Sequence, residues 1–448
     1  MASEWHDARF AQLCEHSAFG PRFAGELYAP DGNVATLRTT DISADGRIEY
    51  ETMPLARLDL SRLQQHTLRP KDLVITRSGR IGTAALFNGF RLPVLPGAFL
   101  IRFRLKTDVA EPLFYRYFFN SRAGQELLTS VATGSVQQNL NITSVHGLEV
   151  PVPPLADQRA IAHILGTLDD KIELNRRMNE TLEAIARAIF KSWFVDFDPV
   201  RAKASGEAPE SICQRLGLTP DLLALFPDRL VDSELGDGST SLTTGIPEGW
   251  GIGAFHSCCE RIESGGTPSR SIAEYWNGSI PWLTSGEVRD VIVLDTKEKI
   301  TEAGLNASSA KIWPIGTTVV AMYGATAGQV CLLAEAMTAN QACCALIPKP
   351  EFISFVFLTA RASISQLSDK ASGSAQQNLN KSLVANHQLI LPTLKIAEAF
   401  ERIVSCLIDK WISNQRGSES LAALRDALLP KLLSGELRVP DAEKALEA

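Results

Sequence analysis

The sequence lacks the excess of positive charge expected of a protein that binds nucleic acid over its whole surface. Its 448 residues include 44 Lys and Arg against 51 Asp and Glu, a formal net charge of −7. This balance still permits DNA binding by one part of the chain. Residues 151–244 hold 10 basic and 15 acidic side chains, whereas residues 1–150 hold 16 and 15. The acidity is therefore concentrated in one middle segment, and the N-terminal third is nearly neutral.

Short motifs that bind nucleotides, metals or cofactors are also missing. The sequence contains no GxxxxGK[ST] loop, GxGxxG turn, HExxH helix or GxSxG elbow. Its one Pro-Pro pair, Pro153-Pro154, lacks the flanking residues of the [ND]PP[YF] loop found in amino-group methyltransferases. We therefore predict no catalytic residues, no metal site and no cofactor in this chain.

Long apolar segments and regularly spaced cysteines are absent as well. We expect no secretory signal in the polar N-terminus, MASEWHDARF. The longest uncharged run, residues 312–334, contains a proline and three glycines, which predicts strands broken by turns rather than a membrane helix. The eight cysteines show no CxxC spacing, which favours buried, reduced thiols in a cytoplasmic protein over disulfides or a metal site.

The sequence does contain an internal repeat at an offset of 239 residues. Residues 134–141 read GSVQQNLN and residues 373–380 read GSAQQNLN, so seven of the eight positions are identical. The match continues without a gap at least as far as Leu182 and Leu421. Solenoid repeats are much shorter, so this period indicates two duplicated domains.

Each repeat ends in a segment with the heptad pattern of a long helix. Residues 161–193 place apolar side chains at alternating steps of three and four, and residues 400–432 follow the same pattern with interruptions at Ser418 and Arg425. Two unrelated surface helices would be the alternative. The equivalence of the two patterns favours two helices packed on each other.

Asn175 and Asn414 occupy equivalent positions in these apolar patterns. An apolar residue would be more stable there, but a polar residue can specify register and orientation in a helix pair. We therefore hypothesise that the two asparagines fix the alignment of the two long helices.

The residues ahead of each helix show patterns of strands and turns. Residues 68–87 and 312–333 each contain a proline, a β-branched run, a glycine-containing turn and a second apolar run, which predicts a β-hairpin. Residues 201–244 are rich in turn-forming residues and predict a connector rather than a core. The expected domains are residues 1–150 and 245–393 as mixed α/β domains, 151–200 and 394–435 as long helices, 201–244 as the connector, and 436–448 as a C-terminal tail.

Two groups of polar residues are candidates for contacts with a nucleic acid. The first group lies in the repeated elements and comprises Gln137, Gln138, Asn139, Gln376, Gln377 and Asn378. Amides can bond to adenine edges or to phosphates. Because the two elements are nearly identical, we favour a structural role for them where each domain meets its helix.

The second group lies where the two copies differ, because residues that read different sequences should differ. It comprises Arg38, Arg77, Ser78 and Arg80 in the first copy, and Ser269, Arg270, Arg289, Tyr323, Thr326 and Gln329 in the second. Arginine bonding to guanine and glutamine to adenine would be the expected chemistry. A solvated surface position is the alternative for each of these residues.

Several segments together resemble the DNA-specificity subunit of Type I restriction–modification systems. They are SGGTPSRSIAEYWNGSIPWLTSGEV (264–288), the two GSxQQNLN elements, VPPLADQRAIAHILGTLDDKIELN (152–175), FVDFDPVRAK (194–203), and FPDRLVDSELGD (226–237) followed by IPEGW. The resemblance covers almost the whole chain. The first repeat lacks the GGTP…YW…PW string, so its assignment rests on the repeat that follows it.

The resemblance implies an α+β fold with two target recognition domains separated by two long antiparallel coiled-coil helices, related by an internal pseudo-twofold. Each domain would read one half of a bipartite DNA site, and the helices would set the gap between the halves. The subunit would be non-catalytic. Its implied partners are double-stranded DNA, two modification (methyltransferase) subunits, which would carry S-adenosylmethionine, and ATP-dependent restriction (nuclease) subunits.

Physical arguments fit this interpretation. A helix from Asp157 to Trp193 would be about 55 Å long, which exceeds the ~34–36 Å of one DNA turn. Because the copies differ in sequence, the expected site is asymmetric. Two other classes remain open: a stand-alone methyltransferase or nuclease, which would need a motif that is missing here, and an assembly scaffold that does not read DNA.

Overall fold

The computed structural model describes residues 5–132, 139–235, 242–289, 291–372 and 379–442. The chain forms two compact units, Met1–Glu173 with Glu419–Ala448, and Leu174–Ser418. Both boundaries fall inside long helices rather than at the domain limits expected from sequence. Each unit therefore contains one set of sheets and a portion of both long helices.

The first repeat begins with strands, continues through short helices and ends in one long helix. Its elements are β1 (His6–Arg9), α1 (Phe10–Leu13), β2 (Cys14–Phe19), β3 (Val34–Leu37), β4 (Leu55–Ala56), β5 (Leu73–Thr76), β6 (Ala84–Leu86), β7 (Val94–Pro96), β8 (Leu100–Leu105), α2 (Pro112–Asn120), α3 (Arg122–Ser130), α4 (Ile142–His146), β9 (Glu149–Val152) and α5 (Leu155–Phe194).

These strands form three small sheets, with orders β2-β8-β5-β6, β4-β3-β7 and β1-β9. Strand β5 is buried on both faces, as its sequence LVIT suggests. Leu73 and Ile75 pack into a cluster with the aromatic side chains of α2, whereas Val74 packs into a second cluster with β3 and β7. The alternation of side chains along β5 thus joins two cores.

Between the repeats lie three short helices and a two-stranded ribbon. They are α6 (Asp198–Ala204), α7 (Pro209–Leu216), α8 (Pro220–Ala224), β10 (Leu230–Leu235) and β11 (Leu242–Pro247). Val200, Ile212, Leu223 and Phe226 are buried in the main cluster of the second unit. The expected connector, residues 201–244, therefore also contributes to a core, because apolar side chains spaced along α6–α8 pack with the end of α5.

The second repeat contains the same elements in the same order, with two additions. They are β12 (Gly251–Ala254), α9 (Phe255–Cys258), β13 (Cys259–Ser264), β14 (Trp276–Leu283), β15 (Ile292–Val293), β16 (Glu298–Ile300), α10 (Glu302–Asn306), β17 (Thr318–Ala321), β18 (Val330–Leu333), β19 (Thr338–Ala339), β20 (Cys343–Pro348), α11 (Ile353–Ala362), α12 (Ile364–Ser372), α13 (Lys381–Ala385), β21 (Gln388–Leu391) and α14 (Leu394–Leu433).

The sheets of the second repeat reproduce those of the first. Their orders are β13-β20-β17-β18-β15, β16-β14-β19 and β12-β21, so β15 and α10 are the additional elements. The two predicted hairpins are confirmed as the antiparallel pairs β5–β6 and β17–β18. The missing GGTP…YW…PW string does not alter the topology of the first repeat.

Both long helices contain 40 residues. The first and last residues of α14 lie 239 positions after the first and last residues of α5. The predicted apolar seams are buried or half-buried along both helices. In the second unit, the rings of Phe194 and Phe400 meet edge to face with centroids 4.8 Å apart. In the first unit, Leu165 and Leu432 belong to one buried cluster. The prediction of two helices packed on each other is confirmed.

The residues after α14 pack into the first unit. Leu437 and Val439 are half-buried against its core, and Ala442 is buried there. Among the described residues, no helix combines the length and apolar character needed to cross a bilayer.

Candidate nucleic-acid interface

Two turns join the hairpin strands of the repeats, and we call residues 77–82 the first turn and residues 322–328 the second turn. Equivalent backbone hydrogen bonds hold both. In the first turn, Arg77 N–H donates to Phe99 O at 2.9 Å, Gly82 N–H donates to Thr76 O at 2.8 Å, and Leu140 N–H donates to Arg77 O at 3.0 Å. In the second turn, Met322 N–H donates to Ala342 O at 2.7 Å, Gly328 N–H donates to Ala321 O at 2.9 Å, and Leu379 N–H donates to Met322 O at 2.9 Å. Arg77 and Met322 are therefore structurally equivalent.

Both turns depend on glycine at their last position. Gly82 and Gly328 have φ angles of +82° and +85°, in the left-handed region that favours glycine. A Cβ atom on Gly328 would also lie 2.4 Å from the Oγ atom of Ser368 in α12. The ends of the turns are thus specified by the backbone, whereas the residues between them can vary in sequence.

The repeated GSxQQNLN elements end beside these turns. Leu140 and Leu379 are buried and donate the backbone bonds described above. The next residues, Asn141 and Asn380, cap α4 and α13 by accepting bonds from Ser144 N at 2.7 Å and Leu383 N at 2.9 Å. This explains in structural terms why the ends of the two elements are identical.

The six amide candidates lie just ahead of these capping residues. Asn139 is half-buried. Gln137, Gln138, Gln376, Gln377 and Asn378 lie outside the described residues.

Arg77 is the first candidate of the second group, and its guanidinium stacks over Phe19, 4.6 Å from the ring centroid. Within the described part of the chain, its Nε atom is buried without a hydrogen-bond partner, and the side chain forms no ion pair. Arg80 is exposed in the same turn, whereas Ser78 is buried. The first turn therefore presents two cations, one of which rests on an aromatic ring.

Arg38 contributes to the protein's own structure. It begins the loop after β3 and forms a bidentate ion pair with Asp41, at 3.0 Å from Nε and 2.7 Å from Nη2. The Asp41 carboxylate is buried. The hydrogen bond to Asp41 also raises the pKa of Arg38 above its usual value. The Nε and Nη2 atoms of Arg38, which could together bond to a guanine, are therefore already bonded to Asp41.

Arg270 is also engaged within the protein. Its guanidinium lies over the ring of Trp276 at 3.7 Å and pairs with both carboxylate oxygens of Glu298. The bond from Arg270 lowers the pKa of Glu298. Ser269 is exposed and shares a 2.9 Å hydrogen bond with Ser271. Arg270 therefore connects the loop after β13 to Trp276 of β14 and to Glu298 of β16.

In the second turn and at Gln329, which follows it, one of the candidates is exposed. Tyr323 follows Met322 directly and is exposed, Thr326 is buried and Gln329 is half-buried. Arg289 is exposed on another loop. Of the candidates in the two turns, Ser78 and Thr326 are therefore the buried ones.

Sequence reasoning missed the aromatic residues around the first turn. Phe19 ends β2, and Phe99 lies opposite Arg77 immediately before β8. The two copies align here at offsets of 243 to 245 rather than 239, so a comparison at one fixed offset could not pair these positions. A gapped comparison of the strand ends would have revealed them.

The seam asparagines form equivalent contacts between the helices of the second unit. Asn175 Nδ2 donates to Ser418 Oγ at 3.2 Å, and Asn414 Nδ2 donates to Asn179 Oδ1 at 3.0 Å. Asn175 and Asn414 are separated by the repeat offset of 239, and so are Asn179 and Ser418, so the two contacts are equivalent. Ser418, an interruption of the sequence pattern, is thus the partner of the first asparagine.

The class of protein follows from this construction: one mixed domain occurs twice, each copy ends in a long helix, and each presents a different turn on the same backbone framework. The family model of the Type I restriction modification DNA specificity domain matches residues 2–184 and 247–416, and the chain belongs to this family. It is a specificity subunit, which recognises a DNA sequence and is itself non-catalytic.

Two known specificity subunits are similar in sequence to this chain over most of their length, and one solved structure has the same fold. The chain is 32% identical over 344 residues to the Type I restriction enzyme HindI specificity subunit of Haemophilus influenzae, covering 70% of this chain and 74% of that protein. It is 26% identical over 337 residues to the MjaIX specificity subunit of Methanocaldococcus jannaschii, covering 74% and 70%. The crystal structure of the S subunit from M. genitalium has the same fold, with a TM-score of 0.62, 16% identity and 96% coverage of both chains.

Proposed function

We propose that the two recognition domains read two different half-sites of one asymmetric, gapped DNA sequence, each through its turn. One observation carries this proposal: the equivalent backbone bonds hold turns whose side chains differ. The first turn offers Arg77 and Arg80, whereas the second has the buried Met322 in place of Arg77 and offers the exposed Tyr323. A common framework with different side chains is what two specificities on one fold require.

The chemistry of the side chains supports different bases in the two halves. An arginine donates two parallel hydrogen bonds to guanine, and a glutamine can bond to adenine in the same way. Arg77, Arg80 and Asn139 therefore belong to the proposed first interface, with Gln137 and Gln138. Tyr323, Gln329 and Arg289 belong to the second, with Gln376, Gln377 and Asn378. Arg38 and Arg270 are assigned structural roles because their forks are already occupied.

The two long helices are proposed to set the gap between the half-sites. The observations in support are the 40-residue length of each helix and the matched asparagine contacts within the helix pair. Four residues correspond to about one helical turn. Inserting four residues into α5 should therefore change the preferred gap, and an unchanged gap would contradict this role.

The proposed partners are two modification subunits and, with them, restriction subunits. An exposed apolar stripe on α5 supports docking of another protein: Leu174, Met178 and Ile185 lie at helical spacing and are all exposed. S-adenosylmethionine is expected in the modification subunit, and the complex is expected in the cytoplasm.

Methylome sequencing of cells that express this chain with its modification subunit tests the proposal. We expect one asymmetric, gapped motif carrying methyladenine. Replacing Arg77 and Arg80 by Ala should alter one half of the motif and leave the other half intact. Arg122→Ala is the matched control, because Arg122 is an exposed arginine on α3 of the same unit.

An assembled complex with an unchanged motif after the double substitution would remove the first turn from the interface. Assembly without selection of any DNA motif would favour a scaffold instead. Methyl transfer by the purified chain alone would contradict its assignment as a non-catalytic subunit.

A further inference from the structure

Three side chains lie at one end of the four-stranded sheet of the first repeat. Phe19 ends β2, Arg77 follows β5, and Phe99 precedes β8. The ladder pairs Thr76 with Leu100, so Arg77 and Phe99 are the next opposed residues, and their side chains emerge on the same face. Arg77 stacks on Phe19 and is bonded through its backbone N–H to Phe99 O at 2.9 Å. The sheet end thus carries two phenyl rings and one cation.

Phe99 is the most exposed member of this group. The residue is 56% exposed, against 36% for Phe19, and lies in a turn that otherwise contains Gly97 and Ala98. An exposed phenyl ring contributes little to the core, because its apolar surface remains in water. Its position beside the Arg77 guanidinium, which forms no ion pair within the described residues, instead suits a base edge that presents both a hydrogen-bond acceptor and an apolar group.

The second repeat shows that the fold does not need an aromatic residue here. Gly20 N donates to Leu100 O at 3.1 Å, and Gly265 N donates to Cys343 O at 3.1 Å, which makes the two sheet ends equivalent. By the same bonds, Phe19, Arg77 and Phe99 correspond to Ser264, Met322 and Ala342. Small or apolar residues support the same backbone, so the aromatic group is particular to the first recognition domain.

The major-groove edges of bases offer one combination that matches this surface. Guanine presents two acceptors that an arginine fork can engage, and thymine presents a C5 methyl group that takes apolar contacts from residues such as Phe. Phe19 holds one face of the Arg77 guanidinium, which restricts its orientation before DNA binds. Arg77 and Phe99 would then contact neighbouring base pairs.

We propose that Phe99 determines specificity in the first recognition domain by contacting the C5 methyl of a thymine next to the guanine that Arg77 reads. The inference rests on the proposed function, because it requires that the first turn faces the major groove.

Replacing thymine by deoxyuridine tests the inference, since only the methyl group is removed. The probe is a duplex with the motif found by methylome sequencing, in which each thymine of the first half-site is replaced in turn. Binding is measured with the complex of this chain and its modification subunit. At one position the wild-type complex should bind roughly fourfold more weakly, the loss expected for one buried methyl group. The Phe99→Ala complex should bind the parent duplex equally weakly and show no further loss with deoxyuridine.

Two controls separate this inference from the proposed function. Val109→Ala removes another exposed apolar side chain of the same unit, after the far end of β8, and should preserve the deoxyuridine effect. Arg77→Ala should alter the half-site whether or not Phe99 contacts a methyl group. If Arg77→Ala alters the half-site while Phe99→Ala retains the full deoxyuridine effect, the methyl contact is wrong and the proposed function stands. If the half-site contains no thymine beside a guanine, the inference fails directly. If neither substitution alters the half-site, both fail.

Discussion

The carboxylate of Asp169 in α5 accepts a hydrogen bond from Arg425 in α14 at 2.8 Å, within the first unit. The same carboxylate accepts bonds from Tyr117 at 2.6 Å and Arg116 at 3.1 Å, both in α2. Arg425 is the second interruption of the apolar pattern in α14. This hydrogen-bond network explains why a charged residue occupies that position. The offset of 239 relates Asp169 and Arg425 to Ile408 and Ala186, which are both buried apolar residues. The two ends of the helix pair are therefore secured by different chemistry.

Removing the charge of Asp169 should destabilise the first unit. The Asp169 and Arg425 side chains are only 21% and 20% exposed, so Asp169→Asn leaves two arginines with weakened partners in a partly dry site. We expect the free energy of unfolding in urea to fall by about 2–3 kcal/mol. Asp170→Asn, at the exposed neighbouring position, should change it little. Equal losses in the two variants would contradict a special role for Asp169.

The same network predicts a loss of stability in acid. Burial alone would raise the pKa of Asp169, but the hydrogen bonds from Tyr117 and Arg425 and the nearby cations hold it below its ordinary value of 3.8. Because the folded-state pKa is the lower one, the ionised carboxylate stabilises the unit above pH 3.8, and this contribution disappears as the pH falls through the folded-state pKa. Thermal melting between pH 6 and about pH 3 should therefore show a smaller acid-induced decrease in Asp169→Asn than in the wild type. Parallel curves would show that other carboxylates dominate.

Arginine substitutions should separate structural from DNA-binding roles. Arg38→Ala leaves the buried carboxylate of Asp41 with fewer donors and should lower stability by about 1–3 kcal/mol. Arg270→Met removes the cation over Trp276 and should lower it by about 1 kcal/mol. Arg77→Ala should alter the methylated motif with a smaller change in Tm. A changed motif in Arg38→Ala at full stability would assign Arg38 to the interface instead.

The seam asparagines should specify helix alignment at some cost in stability. Replacing both Asn175 and Asn414 by Leu removes two polar contacts of the helix pair and adds apolar surface. We expect methylation at sites with more than one gap length, measured by methylome sequencing. Ser413→Leu adds the same side chain at an exposed position of α14 and should preserve the single gap. An unchanged gap and unchanged assembly in the double variant would exclude the alignment role.

Charge predicts weak DNA binding by the isolated chain. The net charge of −7 and the near-neutral first domain leave few cations for phosphates. Its Kd should therefore change by about tenfold or less between 50 and 200 mM salt, whereas the complex with its modification subunit should depend more steeply on salt. Fluorescence anisotropy with one duplex can compare the two. Tight, strongly salt-dependent binding by the chain alone would contradict the prediction.

Much of the architecture could be predicted because local patterns repeat. Prolines at 153 and 154 precede α5, which begins at Leu155, and the heptad spacing continues to its end at Phe194. The β-branched runs became β5 and β17. The contribution of residues 201–244 to a core could not be predicted, because their turn-forming residues lie between short helices whose apolar side chains pack against distant parts of the chain.

The availability of the candidate interface residues could not be predicted from the sequence, for a physical reason. The identity of a turn follows from glycine and strand patterns, but the availability of a side chain depends on its partners in space. Arg270 pairs with Glu298, 28 residues away, and Arg77 stacks on Phe19, 58 residues away. Patterns of neighbouring residues cannot predict contacts between residues that lie so far apart in the sequence.

Periodicity and the ungapped repeat were enough to predict a duplicated chain with two long helices, because both can be read directly from the order of the residues. The availability of the charged side chains followed only from the packing of distant segments. The tertiary structure paired Arg38 and Arg270 within the protein, buried Ser78 and Thr326, and left Phe99 exposed beside Arg77. Long-range packing determines whether a polar group already has a partner within the protein, and the residues next to it in sequence do not reveal that partner.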